Sequence, residues 1–202
     1  MLKRNLVACL TVGVVVLTAG AAGCNSNDAT GEGTSQVRVM LTDAPSDLIA
    51  SAVVTISRVY LVGNDDGPVD LMAESDPPLT FDLLDLRNGV EAFLADHAVP
   101  AGTYEQLRLV VEDADVTLVD GLTFSDGSST RTLFVPSGMQ SGIKVLLASP
   151  LEADAGQITI VVVDFDVDQN FVLRGNATPP TQIDDILFTP VLQEKRREEA
   201  PQ

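Results

Sequence analysis

Hydrophobic and polar residues alternate with a period of two along most of the chain, which indicates strands with one buried face. The clearest case is the stretch Pro100–Asp120, where Leu107, Leu109 and Val111 fall on one face. Tyr104 lies near its start, two positions after a glycine. This is typical of the corner where a β-sandwich chain turns between sheets and the Tyr hydroxyl bonds to nearby backbone. An ordinary strand with a half-exposed Tyr104 is the simpler alternative.

Further alternating segments are separated by turn signals rich in Asp, Gly, Pro and Ser, which recur about every eight to twelve residues. Together they predict about nine or ten strands in an antiparallel arrangement. Besides the strand around Leu107–Val111, the segments are Gln36–Leu41, Ala52–Leu61, Val69–Met72, Leu79–Leu84, Val116–Val119, Leu122–Phe124, Thr132–Val135, Ile143–Ala148, Ile158–Val167 and Ile186–Leu192.

Two stretches depart from the period of two. Leu84–His97 carries Val90, Phe93 and Leu94 at spacings typical of a helix face, which predicts one short helix. The tail Gln193–Gln202 is charged throughout, which predicts frayed helix or disorder.

The composition supports one folded domain with an aliphatic core. The chain has 202 residues, of which 45% are hydrophobic and 4% aromatic, and Trp is absent. A chain of this length accommodates one sizeable domain with short appendages. We therefore expect an all-β fold over residues 36–192, an antiparallel Greek-key-like β-sandwich of about nine or ten strands with one short helix. Residues 193–202 are the predicted disordered tail.

Residues 1–23 have the three-part layout of a secretory signal peptide. Two basic residues lie at the start, Leu6–Leu17 is an apolar run, and small residues lead to Cys24. The run is shorter than the roughly 20 apolar residues that a membrane-spanning helix needs. The segment Ala21–Cys24 resembles a bacterial lipobox, in which the Cys is acylated and becomes the first residue. Ala21 departs from that pattern, since Leu is usual there.

Cysteine usage supports lipidation of Cys24. The chain has two Cys, and Cys9 lies inside the segment to be removed, so no second thiol remains to pair with Cys24. A plain A-x-A cleavage that leaves a free thiol is the alternative. Residues 24–35 are then the lipidated Cys and a polar tether that spans roughly 15–20 Å on average. Asn25, by resemblance to enterobacterial sorting rules, favours the outer membrane.

The net charge narrows the classes of partner. The chain carries 29 acidic and 12 basic residues, a formal charge of −17 at pH 7. Such a balance repels nucleic acid and anionic lipid surfaces, and it favours cations or basic partners. We therefore expect no nucleic-acid role.

Several short motifs follow one another in order over residues 36–192. They are Leu41–Pro45, Phe81–Leu84, Ala101–Tyr104 with Leu107–Leu109, Val135–Gly138 with Gly142–Lys144, and Val163–Asp166. In this order they resemble the bacterial and archaeal family called domain of unknown function 4382. The resemblance implies an exported β-sandwich domain, often carried on lipoproteins, and it implies no activity.

Asp164, Asp166 and Asp168 are the best candidates for chemistry. On a strand they share one face, with successive Cα atoms about 6.6–7 Å apart, while the apolar residues between them face the core. Carboxylates on loops suit Ca²⁺, and Asp43 and Asp47 add ligands if their turn reaches the same end of the sandwich. The alternatives are a solvated strand face for the three aspartates and, for Asp43, hydrogen bonds from backbone N–H groups of its turn.

Catalytic chemistry has little support in the residues. The chain has a single His, His97, which excludes a zinc site of several His, and the scarcity of Cys excludes a thiolate site. Ser137 lies in Pro-Ser-Gly and lacks the Gly-x-Ser-x-Gly elbow of a hydrolase. A carboxylate pair acting on polysaccharide stays open, although no Trp is present as a stacking platform.

We therefore expect an exported, lipid-anchored β-sandwich surface module of the bacterial cell envelope, with a binding, adhesion or structural role and no catalysis. Its expected partners are the membrane, through Cys24, and an envelope or extracellular protein or polysaccharide. A carboxylate-based hydrolase acting on polysaccharide is the alternative, and a passive envelope spacer is a third reading. Calcium is the one ligand predicted, and no other cofactor is expected.

Overall fold

The computed structural model describes residues 33–63, 67–135, 141–175 and 182–201. The predicted signal peptide, Cys24 and most of the tether lie outside these residues. Within them, no helix has both the length and the apolar character needed to cross a membrane.

The described residues form strands joined by short turns, with two brief helical segments. In chain order the strands are β1 Thr34–Thr42, β2 Ile49–Val62, β3 Val69–Met72, β4 Leu79–Asp82, β5 Ala92–Pro100, β6 Gly102–Tyr104, β7 Gln106–Leu118, β8 Thr123–Phe124, β9 Thr130–Leu133, β10 Ile143–Leu146, β11 Leu151–Ala153, β12 Gln157–Asp164, β13 Phe171–Arg174, β14 Gln182–Ile183, β15 Asp185–Phe188 and β16 Leu192–Pro201. A 3₁₀ helix spans Leu83–Leu86, and a short α-helix, α1, spans Val167–Asn170.

One large sheet organises the molecule. Its strands follow the order β3-β2-β7-β10-β16-β12-β1-β5, with β4 paired to β2 and β9 paired to β7. Most neighbours are antiparallel, whereas β1 with β12 and β10 with β16 are parallel. The end strands β3 and β5 lie against each other, so the sheet curls around a core. The all-β class is confirmed, and the Greek-key connection stays a prediction.

The core is aliphatic, as the composition predicts. Val37, Val39 and Leu41 of β1 are fully buried and alternate with partly exposed residues, which is the expected period of two. Tyr104 is also fully buried, and its hydroxyl donates a hydrogen bond to the carbonyl oxygen of Pro100 at 2.8 Å. The predicted tyrosine corner is therefore confirmed.

The helix predicted over Leu84–His97 is wrong. Only the 3₁₀ helix lies there, and β5 follows it. Between them Asn88 and Gly89 have φ angles of 60° and 83°, a left-handed turn that a right-handed helix cannot continue through. Val90 and Phe93, expected on a buried helix face, are 51% and 54% exposed.

The central strand is longer than its sequence pattern predicts. Val116–Val119 does not start a separate strand, because β7 runs unbroken through Asp113 and Asp115. β2 pairs along one edge of β7, while β10 and β9 pair along the other, which keeps this polar stretch extended. Register shifts after Thr55 and after Ile56 mark β-bulges in β2, next to Asp113 of β7.

The predicted disorder of the tail is also wrong, since residues 192–201 form β16. This strand pairs with β12 over eight register positions from Gln157↔Pro201 to Asp164↔Gln193, and with β10 at its start. Its charged side chains find partners on the outer surface, for example Arg196 with Glu91 at 2.8 Å. Backbone hydrogen bonds to β12 do not depend on side-chain polarity, so a charged segment can form an interior strand of the sheet.

We predict that removing Gln193–Gln202 strongly destabilises the protein. The deletion leaves the backbone groups of β12 unpaired along a whole edge, so the melting temperature should fall by on the order of 10 °C or more. Thermal unfolding followed by circular dichroism measures the shift, and a variant that lacks only Gln202 is the control. An unchanged melting temperature in the long deletion would restore the disordered-tail interpretation.

Candidate functional site

The predicted aspartates gather at the end of the sheet where β1 and β12 both finish. The two strands are parallel, and Thr42 lies in register with Asp164. Their continuations therefore leave the sheet side by side, and the N–H of Phe165 donates to the carbonyl of Thr42 at 3.0 Å. The hydroxyl of Thr42 donates to the carbonyl of Val90 at 2.9 Å, which fixes the loop before β5 at the same place.

Asp43 ties the end of β1 to the start of α1. Its side chain is buried, with 2% exposed. The Oδ1 atom accepts a hydrogen bond from the N–H of Val167 at 2.9 Å, and the N–H of Ala44 also donates to this carboxylate. The sequence interpretation of Asp43 as an acceptor for backbone N–H groups is confirmed, although Val167 is 124 positions away along the chain.

Two carboxylate oxygens in this region are buried without a hydrogen-bond partner among the described residues, Asp43 Oδ2 and Asp164 Oδ1. The pKa of Asp43 is raised from 3.8 to about 7, mainly by burial and also by the negative charges of Asp164 and Asp166, against the lowering effect of the two backbone donors. The negative charge of Asp164 is compensated by Lys195, whose Nζ lies 2.9 Å from the Oδ2 atom. Asp43 is therefore close to half protonated at neutral pH, and the proton removes a buried charge that has no cationic partner.

The prediction that Asp164, Asp166 and Asp168 share one strand face is wrong, although the apolar half of that pattern is right. Val163, Phe165 and Val167 are fully buried, as expected. The strand, however, ends at Asp164. Asp166 then adopts a left-handed conformation, with φ at 39°, and its Oδ1 accepts from the N–H of Gln169 as the cap of α1.

Asp168 and Asp47 lie apart from the buried carboxylates. Both are exposed and line a shallow cavity of about 460 Å³ together with Leu48 and Phe171. All five predicted aspartates thus occupy the same end of the sheet, but in two separate groups. No cluster of three or more His, Cys, Asp or Glu side chains suited to a metal ion occurs in residues 33–63, 67–135, 141–175 and 182–201. Calcium binding stays a prediction.

Asn170, which sequence reasoning missed, holds this end together. It is fully buried. Its side-chain amide donates to the carbonyl of Asp166 at 2.9 Å, that of Val191 at 3.3 Å and that of Phe165, and its oxygen accepts from the N–H of Val191. These bonds join α1 to the segment before β16. The sequence carries no signal of this role, because Asn170 ends a polar run and resembles a solvated turn residue.

Three phenylalanines fill the space beneath α1. The rings of Phe165, Phe171 and Phe188 are stacked, and the centroids of Phe171 and Phe188 are 4.9 Å apart. The ring stack and the Asn170 hydrogen bonds fix both ends of α1, so the exposed side chain of Asp168 projects from a rigid base.

This end of the sheet can hold a proton at Asp43 in its interior. Its surface carries carboxylates and apolar side chains. The buried acid lines neither of two cavities formed by described residues. One has a volume of about 420 Å³ and lies between β9 and β15 beside Arg131, and the other is the cavity beside Asp47.

Comparisons with known proteins assign the chain to a family and no further. The family model described as "Domain of unknown function (DUF4382)" matches residues 34–186. No curated protein and no solved structure matches the chain.

We predict that the free energy of unfolding depends on pH through Asp43. The raised pKa means that the folded state binds the proton more tightly than the unfolded state. The stabilisation is complete below about pH 3.8, declines as the pH rises and is lost above about pH 7. Its full span is on the order of 4 kcal/mol. Asp43→Asn should remove this component, because the neutral amide keeps an acceptor for Val167 and adds a donor. Urea unfolding of both proteins between pH 4 and pH 8.5 measures the difference.

The expected result is an Asp43→Asn protein that is more stable than the wild type at pH 8 and similar to it at pH 4 and below, with an intermediate difference at pH 5. Asp126→Asn is a control of opposite sign, since hydrogen bonds from Ser128 and Arg131 lower the pKa of this exposed carboxylate, and its removal should not reproduce the gain in stability at pH 8. Parallel pH profiles for wild type and Asp43→Asn would contradict a protonated Asp43. A rise in melting temperature with Ca²⁺, absent with Mg²⁺ and lost in Asp43→Asn, would show that a cation takes the place of the proton.

Proposed function

Since the chain belongs to the DUF4382 family of domains of unknown function, we propose a function from its own residues. It is an exported, lipid-anchored surface module of the bacterial cell envelope. It binds an envelope or extracellular partner at the end of the sheet away from the anchor, and it has no catalytic role.

The anchor is supported by the residues of the N-terminal segment. A positive start, the apolar run Leu6–Leu17 and the lipobox-like Ala21–Cys24 occur in the order that lipoprotein processing requires. Cys24 is the single Cys outside the apolar run, so acylation accounts for it without a disulfide. Asn25 favours the outer membrane.

The proposal that the far end of the sheet binds a partner is supported by one observation, the direction of β1. The chain leaves the tether at Thr34 and runs along β1 to Thr42, a rise of roughly 26 Å. Asp43, α1 and the cavity beside Asp47 lie at the far end of that strand. An anchor at Cys24 therefore directs this end away from the membrane, where an external partner has access to it.

The hydrolase alternative has one specific observation in its favour, a carboxyl with a pKa of about 7 close to the charged Asp164. A neutral acid beside a carboxylate is the arrangement that general acid–base catalysis uses. Asp43, however, is 2% exposed, and its Oδ1 is occupied by Val167. A polysaccharide does not reach a carboxyl in that position, so the binding module is the better-supported function.

We predict that the protein isolated from bacterial membranes begins at Cys24 and carries acyl chains. Intact-mass spectrometry should give a mass that lacks residues 1–23 and includes the added lipid, and the protein should partition into detergent. Cys24→Ala should leave an unacylated protein whose intact mass lacks the added lipid, because the thiol that forms the thioether bond is missing.

Cys9→Ala is the matched control, since Cys9 lies inside the apolar run and should leave acylation unchanged. A wild-type protein cut elsewhere, with a free thiol at Cys24, would support plain A-x-A cleavage and would contradict the anchor.

A further inference from the structure

Strand β13 lines a groove at the far end of the molecule. The β13 groove is the cavity of about 460 Å³ lined by Asp47, Leu48, Asp168, Phe171, Val172 and Leu173. Its volume falls within the range of about 300–1,000 Å³ typical of ligand clefts. The loop after β1 and the start of α1 form one side, and β13 forms the other.

The floor of the β13 groove is apolar and held in place. Leu48 and Val172 are 38% and 42% exposed and line the same cavity, so they form one apolar surface. The carbonyl of Leu48 accepts a hydrogen bond from the N–H of Val119 at 3.1 Å. Phe171 is 2% exposed and stacked on Phe188. The exposed apolar surface therefore belongs to fixed elements of the fold.

Two carboxylates flank this floor without a cationic partner. Asp47 and Asp168 are both exposed, and neither forms an ion pair with any residue that the structure describes. Some other carboxylates are neutralised locally, for example Asp164 by Lys195 and Asp96 by Arg38. The groove thus presents unneutralised negative charge beside apolar surface, which is complementary to a positively charged, apolar ligand.

The backbone of β13 indicates the shape of that ligand. One edge of β13 pairs with β15 from Phe171↔Phe188 to Arg174↔Asp185. Within the described part of the chain, no strand pairs with its other edge. A free strand edge offers backbone donors and acceptors in a row, and an extended peptide can satisfy them by adding a strand.

We infer that the β13 groove docks an extended segment of a partner protein in which Lys or Arg residues alternate with aliphatic residues. The cationic side chains pair with Asp47 and Asp168, the aliphatic ones cover Leu48 and Val172, and the backbone adds a strand to β13. This inference rests on the proposed binding function and names the class of partner that the far end recognises.

Peptide binding to the full chain, purified in a mild non-ionic detergent, tests the inference. A fluorescein-labelled peptide of alternating Lys and Val is titrated by fluorescence anisotropy, and protein-free micelles provide the blank. The expected result is saturable binding that weakens with added salt, and no binding of the matching Glu/Val peptide. Asp47→Asn with Asp168→Asn should weaken binding about tenfold, as the loss of two exposed ion pairs allows.

A matched control lies at the opposite end of the molecule. Glu152 and Asp154 line another shallow cavity, beside Gly102. The double variant Glu152→Gln/Asp154→Asn removes the same charge as the groove variant but should leave the peptide affinity within about twofold. Both pairs contain exposed carboxylates, and equal urea midpoints for the two variants exclude unfolding as the cause of a difference.

The contribution of strand addition has a separate readout. N-methylation of alternate peptide nitrogens along one edge should abolish binding, whereas methylation along the other edge should not. Equal losses of peptide affinity in the two double variants would contradict binding at the β13 groove, because the attraction would then depend on net charge alone. Absence of Lys/Val binding would overturn the class of partner. Neither outcome depends on acylation of Cys24, so failure of the anchor and failure of the groove are distinguishable.

Discussion

The parallel pairing of β1 with β12 is the constraint on which the far end of the molecule depends. In an antiparallel pair the two strands finish at opposite edges, whereas parallel strands finish together. The register Thr42↔Asp164 therefore delivers two distant chain segments to one place. The hydrogen bond from Val167 to Asp43 is possible only because of this pairing.

A buried polar network then makes this end rigid. Asp43 and Asn170 are almost completely buried, and each bonds to backbone groups from distant parts of the chain. Such networks specify one arrangement when they are satisfied, because the alternative is an unpaired polar group in a medium of low dielectric constant. The second oxygen of Asp43 has no hydrogen-bond partner among the described residues, and the raised pKa lets a proton remove its buried charge. The same loop and helix carry Asp47 and Asp168, so the interior network positions the exposed carboxylates.

The acidic residues therefore divide into groups with different roles. Some are neutralised locally, as Asp164 is by Lys195 and Glu91 is by Arg196. Burial raises the pKa of Asp43 to about 7, whereas Asp47 and Asp168 lie beside exposed aliphatic side chains, are exposed themselves and form no ion pair with the described residues. Surface charges without a partner in the same chain are those most available to another molecule. An anchor at the opposite end of β1 would present them outward.

The sequence alone determined the all-β class, the aliphatic core and most strand positions, because period-two alternation directly reflects which face of a strand is buried. It also identified Tyr104 as a corner residue, since that hydrogen bond reaches Pro100, four positions away. The tertiary structure decided what depends on distant partners. Gln193–Pro201 is a strand because β12 supplies its hydrogen bonds, although its side chains resemble a solvated tail. Asp166 leaves the strand because Asp43 binds the next turn of the chain, and Asn170 is buried because Val191 lies against it. Local patterns report local burial, and they carry no information on contacts between segments that are distant along the chain.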